Sequence, residues 1–171
     1  FDTPQYIKEA AKKAIDEGQT HYAPNAGIPE LREAVADKYR KRYWEGYTKD
    51  HVIITVGTME GLVLSMMLLL NPGDEILVPD PCFPNYYGQA SIVGARAVPV
   101  PTYEKYDYRM QAADIEKAIT PHTRALLLNS PCNPTGAVLT KEDILAIAKV
   151  VQEHDLWVLT DEPYDAIVYD G

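Results

Sequence analysis

The sequence predicts an α/β domain built on a mainly parallel sheet. Three observations carry this. From His51 onward, short β-branched or aliphatic runs alternate with stretches of helical periodicity. Turn residues mark the changeovers, as in Asn71-Pro72-Gly73-Asp74. The chemically rich residues gather in loops just after the strand-like runs, where open α/β sheets bind their ligands.

Taken in order, Thr3 to Gly18 reads as a helix. Ile7, Ala10, Ala11, Ala14 and Ile15 form its apolar stripe, and Gly18 is placed to end it. His21 to Ile28 is a Pro/Gly/Asn loop. A second helix opens at Pro29, a favoured first position, and runs to about Trp44. His51 to Val56 reads as a strand and Thr58 to Leu70 as a helix. Strands follow at Glu75–Val78, Ala97–Val100, Arg124–Leu128 and Leu156–Thr160. Between them lie helices over Pro84–Gly94, Gln111–Ile119 and Lys141–His154. Right-handed crossovers would put helices on both faces of such a sheet.

The 171 residues suffice for one domain with a core. The longest apolar run, Leu62 to Leu70, is interrupted by Ser65 and falls short of the roughly 18 residues that span a bilayer, so no membrane partner is expected. Twenty-five acids against sixteen bases give a net charge of −9. The only clustered bases are Arg40, Lys41 and Arg42, which argues against nucleic acid as a partner. Cys82 and Cys132 have neither zinc-ligand spacing nor a disulfide framework and read as reduced thiols of a cytoplasmic protein. The four histidines form no metal motif, and no metal is expected.

Four loops carry the chemistry. In Val56-Gly57-Thr58-Met59-Glu60-Gly61 a strand gives way through glycine to a helix. The free N–H groups and positive dipole end of a helix start suit a phosphate. The same residues also suit a plain turn capped by Thr58. No Walker lysine and no G-x-G-x-x-G is present, which disfavours nucleoside triphosphates and dinucleotides. Asp80 to Tyr87 offers rings on which a planar ligand could stack, or simply core aromatics beneath a loop. Asn129 to Gly136 is stiffened by prolines and could aim the Asn133 amide, though it is also a good turn. Asp161, at the carboxyl end of an apolar strand, needs a cationic or hydrogen-bonding partner. A protonated ring nitrogen would serve, as would a role as helix cap.

In order and spacing, the stretches YAPNAGIPELREAVADKY, NPGDEILVPDPCFPNYY, NSPCNPTGAVL and LTDEPYDAIVYDG resemble the class I/II aminotransferases among fold type I pyridoxal-phosphate (PLP) enzymes. The resemblance covers nearly the whole chain. It implies a three-layer PLP-dependent transferase large domain, incomplete at its C-terminus. Residues 1–28 would be an N-terminal helix and dimer-contact loop, and residues 29–171 part of the large domain. It further implies that Asp161 pairs with the pyridinium nitrogen and that Asn133 and Tyr164 bind the ring 3′-oxygen. Phe83 would stack on the ring. Thr58 and Met59, after Gly57, would bind the phosphate. Tyr22 would reach the phosphate of a neighbouring subunit in a homodimer.

The implied reaction moves an amino group from an amino acid to a 2-oxo acid through pyridoxamine phosphate. Rivals are a C–S lyase or cyclopropane-forming synthase on the same fold, and the aminotransferase-like sensor domain of a transcription regulator. Two of the family's groups have no counterpart. Its Schiff-base lysine and its substrate-carboxylate arginine lie further along, whereas the last lysine here is Lys149. The chain alone is therefore expected to be inactive. Its start without Met and its end at Tyr169-Asp170-Gly171 read as those of a fragment. The strand over His51–Val56, whose partner the resemblance puts in the missing region, would be an unpaired edge.

Overall fold

The structure is a computed structural model describing residues 1–169. Asp170 and Gly171, the last residues of the expected interrupted loop, lie outside the described residues. The chain divides into two compact units, Phe1–Thr55 and Val56–Gly171.

In the first unit, helix α1 spans Gln5–Asp16. It ends as predicted: Gly18 takes φ +76°, and the N–H groups of Gly18 and Gln19 return to the carbonyls of Ile15 and Ala14. The apolar stripe expected on this helix buries none of its residues here. Helix α2 spans Pro29–Arg42. Arg32 ties it to the following segment, donating to the carbonyls of Val52 at 2.9 Å and Lys49 at 2.7 Å. The basic end of α2 is partly neutralised within its own unit, because Arg40 pairs with Glu33 and Asp37, each at 2.9 Å.

One expected element is corrected. His51–Val56 is no strand of the sheet. Residues Lys49–His51 form a 3-10 turn capped by Thr48, and Val52 onward joins no ladder among the described residues. Its tie to the loop before α2 is the Ile54 N–H to the Ala26 carbonyl, 2.9 Å. β-Branched composition favours extended backbone, but a strand needs a neighbour to pair with.

The second unit holds the sheet. Helix α3 spans Gly57–Leu69, β1 Glu75–Asp80, α4 Asn85–Ile92 and β2 Arg96–Pro101. Then come α5 at Ala112–Ala118, β3 at Thr123–Asn129, α6 at Lys141–Glu153 and β4 at Trp157–Asp161. The strand order is β2-β1-β3-β4, all parallel. Alternation along the strands builds three layers. Ile76, Val78, Ala125, Leu127 and Leu159 pack with Leu62 and Met66 of α3 and Tyr86 and Ala90 of α4. Leu77 and Leu126 face the other way, onto Ile115 of α5 and Ile147 and Val150 of α6. All four carboxyl ends therefore open on one edge of the sheet.

The opposite edge is held by Glu75, only 3% exposed. Its carboxylate pairs with Arg96 and accepts from the hydroxyls of Thr120 at 2.6 Å and Thr123 at 3.4 Å. Burial alone raises its pKa, but the Thr120 and Arg96 contacts outweigh burial and hold it below the ordinary value. A carboxyl with a lowered folded-state pKa stabilises fully above its unfolded value and loses that contribution as pH falls through the folded one. Glu75→Gln should therefore flatten the acid loss of stability below pH 4.5, read from urea midpoints across pH. Thr140 caps α6 in a reciprocal box with Asp143. Thr140→Ala should lower unfolding free energy by about 1 kcal/mol in the same assay.

Candidate functional site

At the open edge, Asp161 ends β4 and shares the face of Leu159, two residues before it. It is 7% exposed. The Tyr86 hydroxyl donates to its Oδ2 at 2.7 Å. Its Oδ1 is buried and has no hydrogen-bond partner among the described residues. Burial first, then the bond to Asp161 and its charge, drive the Tyr86 phenol far above its ordinary pKa. Tyr86 thus stays protonated and acts as donor.

Asn129 stands opposite Asp161 in the β3–β4 register. Its Nδ2 donates to the Asp161 carbonyl at 2.8 Å, and its Oδ1 accepts the Asn133 N–H at 2.8 Å. One side chain thereby links two strand ends and fixes the start of the Asn133 loop. Both proline-rich loops contain cis peptides, at Asp80-Pro81, Ser130-Pro131 and Asn133-Pro134. In the first of them, Phe83 meets the Tyr86 ring edge-on, with centroids 5.7 Å apart. Nearby, the Cys82 thiol is pushed up to about 11, by burial first and then by Asp80 and Cys132. Both cysteines are free.

Asp161, Tyr86, Asn129, Asn133 and Phe83 border a cavity of about 190 Å³, and its lining also includes Tyr164. Thr58 and Met59, in the first turn of α3, line it as well. A cavity of about 150 Å³ accepts a benzene ring, so this one admits a single substituted ring. The fit to PLP rests on its donor set: an orphaned carboxylate oxygen for a ring N–H⁺, amide and phenol groups for a ring oxygen, and a helix start for a phosphate.

The structure thus brings six of the predicted residues to one cavity: Thr58, Met59, Phe83, Asn133, Asp161 and Tyr164. Gly57 sits just before it at φ +73°, a left-handed turn that suits glycine. Tyr22 belongs to the other unit and is fully exposed. No lysine lies among the described lining residues. Lys149 is on α6, its Nζ 3.8 Å from Glu153. A larger, shallower hollow of about 550 Å³, between Glu104–Arg109 and Thr135–Thr140, contains none of the predicted residues.

Sequence reasoning left two site residues unassigned. Tyr86 lies three residues after Phe83, on the helical face shared with Ala90, a spacing legible in advance. Asn129 ends an apolar run as Asp161 does, a parallel that also stands in the sequence.

A parallel sheet between two helix layers, with a ring-sized cavity at its carboxyl edge lined by a buried acid and the first turn of a helix, defines an α/β domain of the ligand-binding class. The chain belongs to the aminotransferase class I and II family, whose model matches residues 1–171. It is 48% identical over its whole length to aromatic-amino-acid aminotransferase 2 of Thermococcus litoralis. It superposes at TM-score 0.94 and 42% identity on the Thermus thermophilus aspartate aminotransferase solved with maleate. The same score, at 38% identity, relates it to alanine aminotransferase from Pyrococcus furiosus. In all three cases the whole chain is covered, yet it spans only 44–45% of the relative's length. No helix among the described residues is long and apolar enough to cross a membrane.

Tyr86→Phe keeps the packing volume but leaves Asp161 Oδ2 without its donor. It should cost about 1–3 kcal/mol of unfolding free energy, measurable by urea denaturation.

Proposed function

We propose that this chain is the cofactor-holding portion of a PLP-dependent aminotransferase that moves an amino group from an amino acid to a 2-oxo acid. The observation that carries the reading is the buried, unpartnered Oδ1 of Asp161, a residue that lines a ring-sized cavity. Bound there, PLP supplies an electron sink for charge developing on the substrate. Asp161 holds the proton on the ring nitrogen, and Tyr86 keeps the carboxylate oriented. Asn133 and Tyr164 donate to the ring 3′-oxygen, and Phe83 covers a ring face. The Thr58 and Met59 N–H groups, after the Gly57 turn, grip the phosphate with the aid of the α3 dipole.

The amine that binds the cofactor covalently and moves the substrate proton belongs, in this reading, to sequence beyond the 171 residues. The part of the family length not spanned here is where it would lie. Within residues 1–28, the exposed stripe of α1 and exposed Tyr22 are read as contacts with a second copy in a cytoplasmic homodimer, Tyr22 reaching the neighbour's phosphate. Residues 29–171 are read as the beginning of the large domain.

The test uses the complete protein. Supplied with an amino acid and no acceptor, it should release one equivalent of 2-oxo acid per bound PLP and then stop until a 2-oxo acid is added. Continuous release of ammonia or a thiol without acceptor would replace the transferase reading with a lyase. Asp161→Ala should reduce the transfer rate by roughly a hundredfold or more, and the 171-residue chain alone should show no turnover.

A further inference from the structure

Helix α4 carries two buried polar side chains one turn apart, and each hydrogen-bonds to a different residue that lines the cavity. Tyr86 holds Asp161 at the ring end. Gln89, three residues later and so on the same side of the helix, is 2% exposed. Its Nε2 donates to the Met59 carbonyl at 3.2 Å and touches the Met59 sulfur at 3.5 Å. Met59 lies in the first turn of α3 and lines the cavity, at what the PLP reading makes its phosphate end. A carbonyl has two lone pairs. The helix ladder uses one, and Gln89 takes the other, which holds the Met59–Glu60 peptide directly after the two N–H groups read as the phosphate grip.

The arrangement is costly to the core. The Oε1 of Gln89 is buried without a hydrogen-bond partner among the described residues, a penalty that an apolar side chain of the same length would not incur. We infer that Gln89 is a positioning residue for the phosphate end of the site. With Tyr86 it makes α4 a brace that sets the separation between the phosphate grip and the ring-nitrogen acceptor. The inference rests on the PLP reading and adds to it a residue that touches neither the cofactor nor the substrate.

The brace acts on one end of the ligand only, which makes it testable with two probes that differ by the phosphate. In the complete protein, dissociation constants for PLP and for pyridoxal would be measured by tryptophan fluorescence, with melting temperatures alongside. Gln89→Met should weaken PLP by roughly tenfold while changing pyridoxal by less than about twofold, with no fall in melting temperature. Tyr86→Phe, acting at the ring end, should weaken both probes by a similar factor. Should Gln89→Met not fold, Gln89→Asn, whose shorter amide falls short of Met59, is expected to show the same selective loss. Equal weakening of both probes, or unchanged PLP binding, overturns the inference while leaving the cofactor reading intact. A wild-type protein that binds neither probe removes the cofactor reading, and the inference with it.

Discussion

A carboxylate buried with one oxygen satisfied and the other open is the constraint around which this unit is organised. Removing an ionised group from water costs several kcal/mol unless partners replace the water. Tyr86 provides one partner for Asp161. The neighbouring Asn129 amide takes up the Asp161 carbonyl, so the backbone at the strand end is also satisfied. What is left over is a single buried acceptor on a residue that lines a cavity sized for one ring. A group of that kind selects for a cationic donor, because only a charged or strongly polarised N–H offsets its desolvation.

The sheet makes this placement possible. Four parallel strands direct every carboxyl end to one edge, so residues distant in sequence meet without long-range loops. β1 and β3, between helices on both faces, supply the rigid centre. The loops at their ends are stiffened by proline and tied by short polar bonds, such as Asn133 N–H to Asn129. Side chains on such supports lose little entropy when a ligand arrives.

Much of this was legible beforehand, because the signals are local. Short aliphatic runs bounded by turn residues marked β1, β2, β3 and β4, and a carboxylate just past an aliphatic run marked Asp161. The reading failed where the outcome depends on partners outside the local sequence. His51–Val56 has the composition of a strand, yet among the described residues it has no neighbour to ladder with, and composition alone cannot supply one. Tyr86 and Asn129 had positional signals in the sequence, but what those signals meant, like the role of Gln89, depends on a distant partner. Each sits on an ordinary helix or strand, and its role appears only when the chain brings a second element to it from 30 or more residues away.

The pairing of Asn129 with Asp161 across β3 and β4 has an evolutionary corollary. Side chains alternate faces along a strand, so adding or deleting one residue within β4 would swing the acid to the α5–α6 side and bury it among Leu77 and Leu126's neighbours. Substitutions along this strand are open to drift in size and hydrophobicity, but its length is not. Lineages descending from this architecture can diversify in the loops that leave β4 only while the count of residues leading to the acid is preserved.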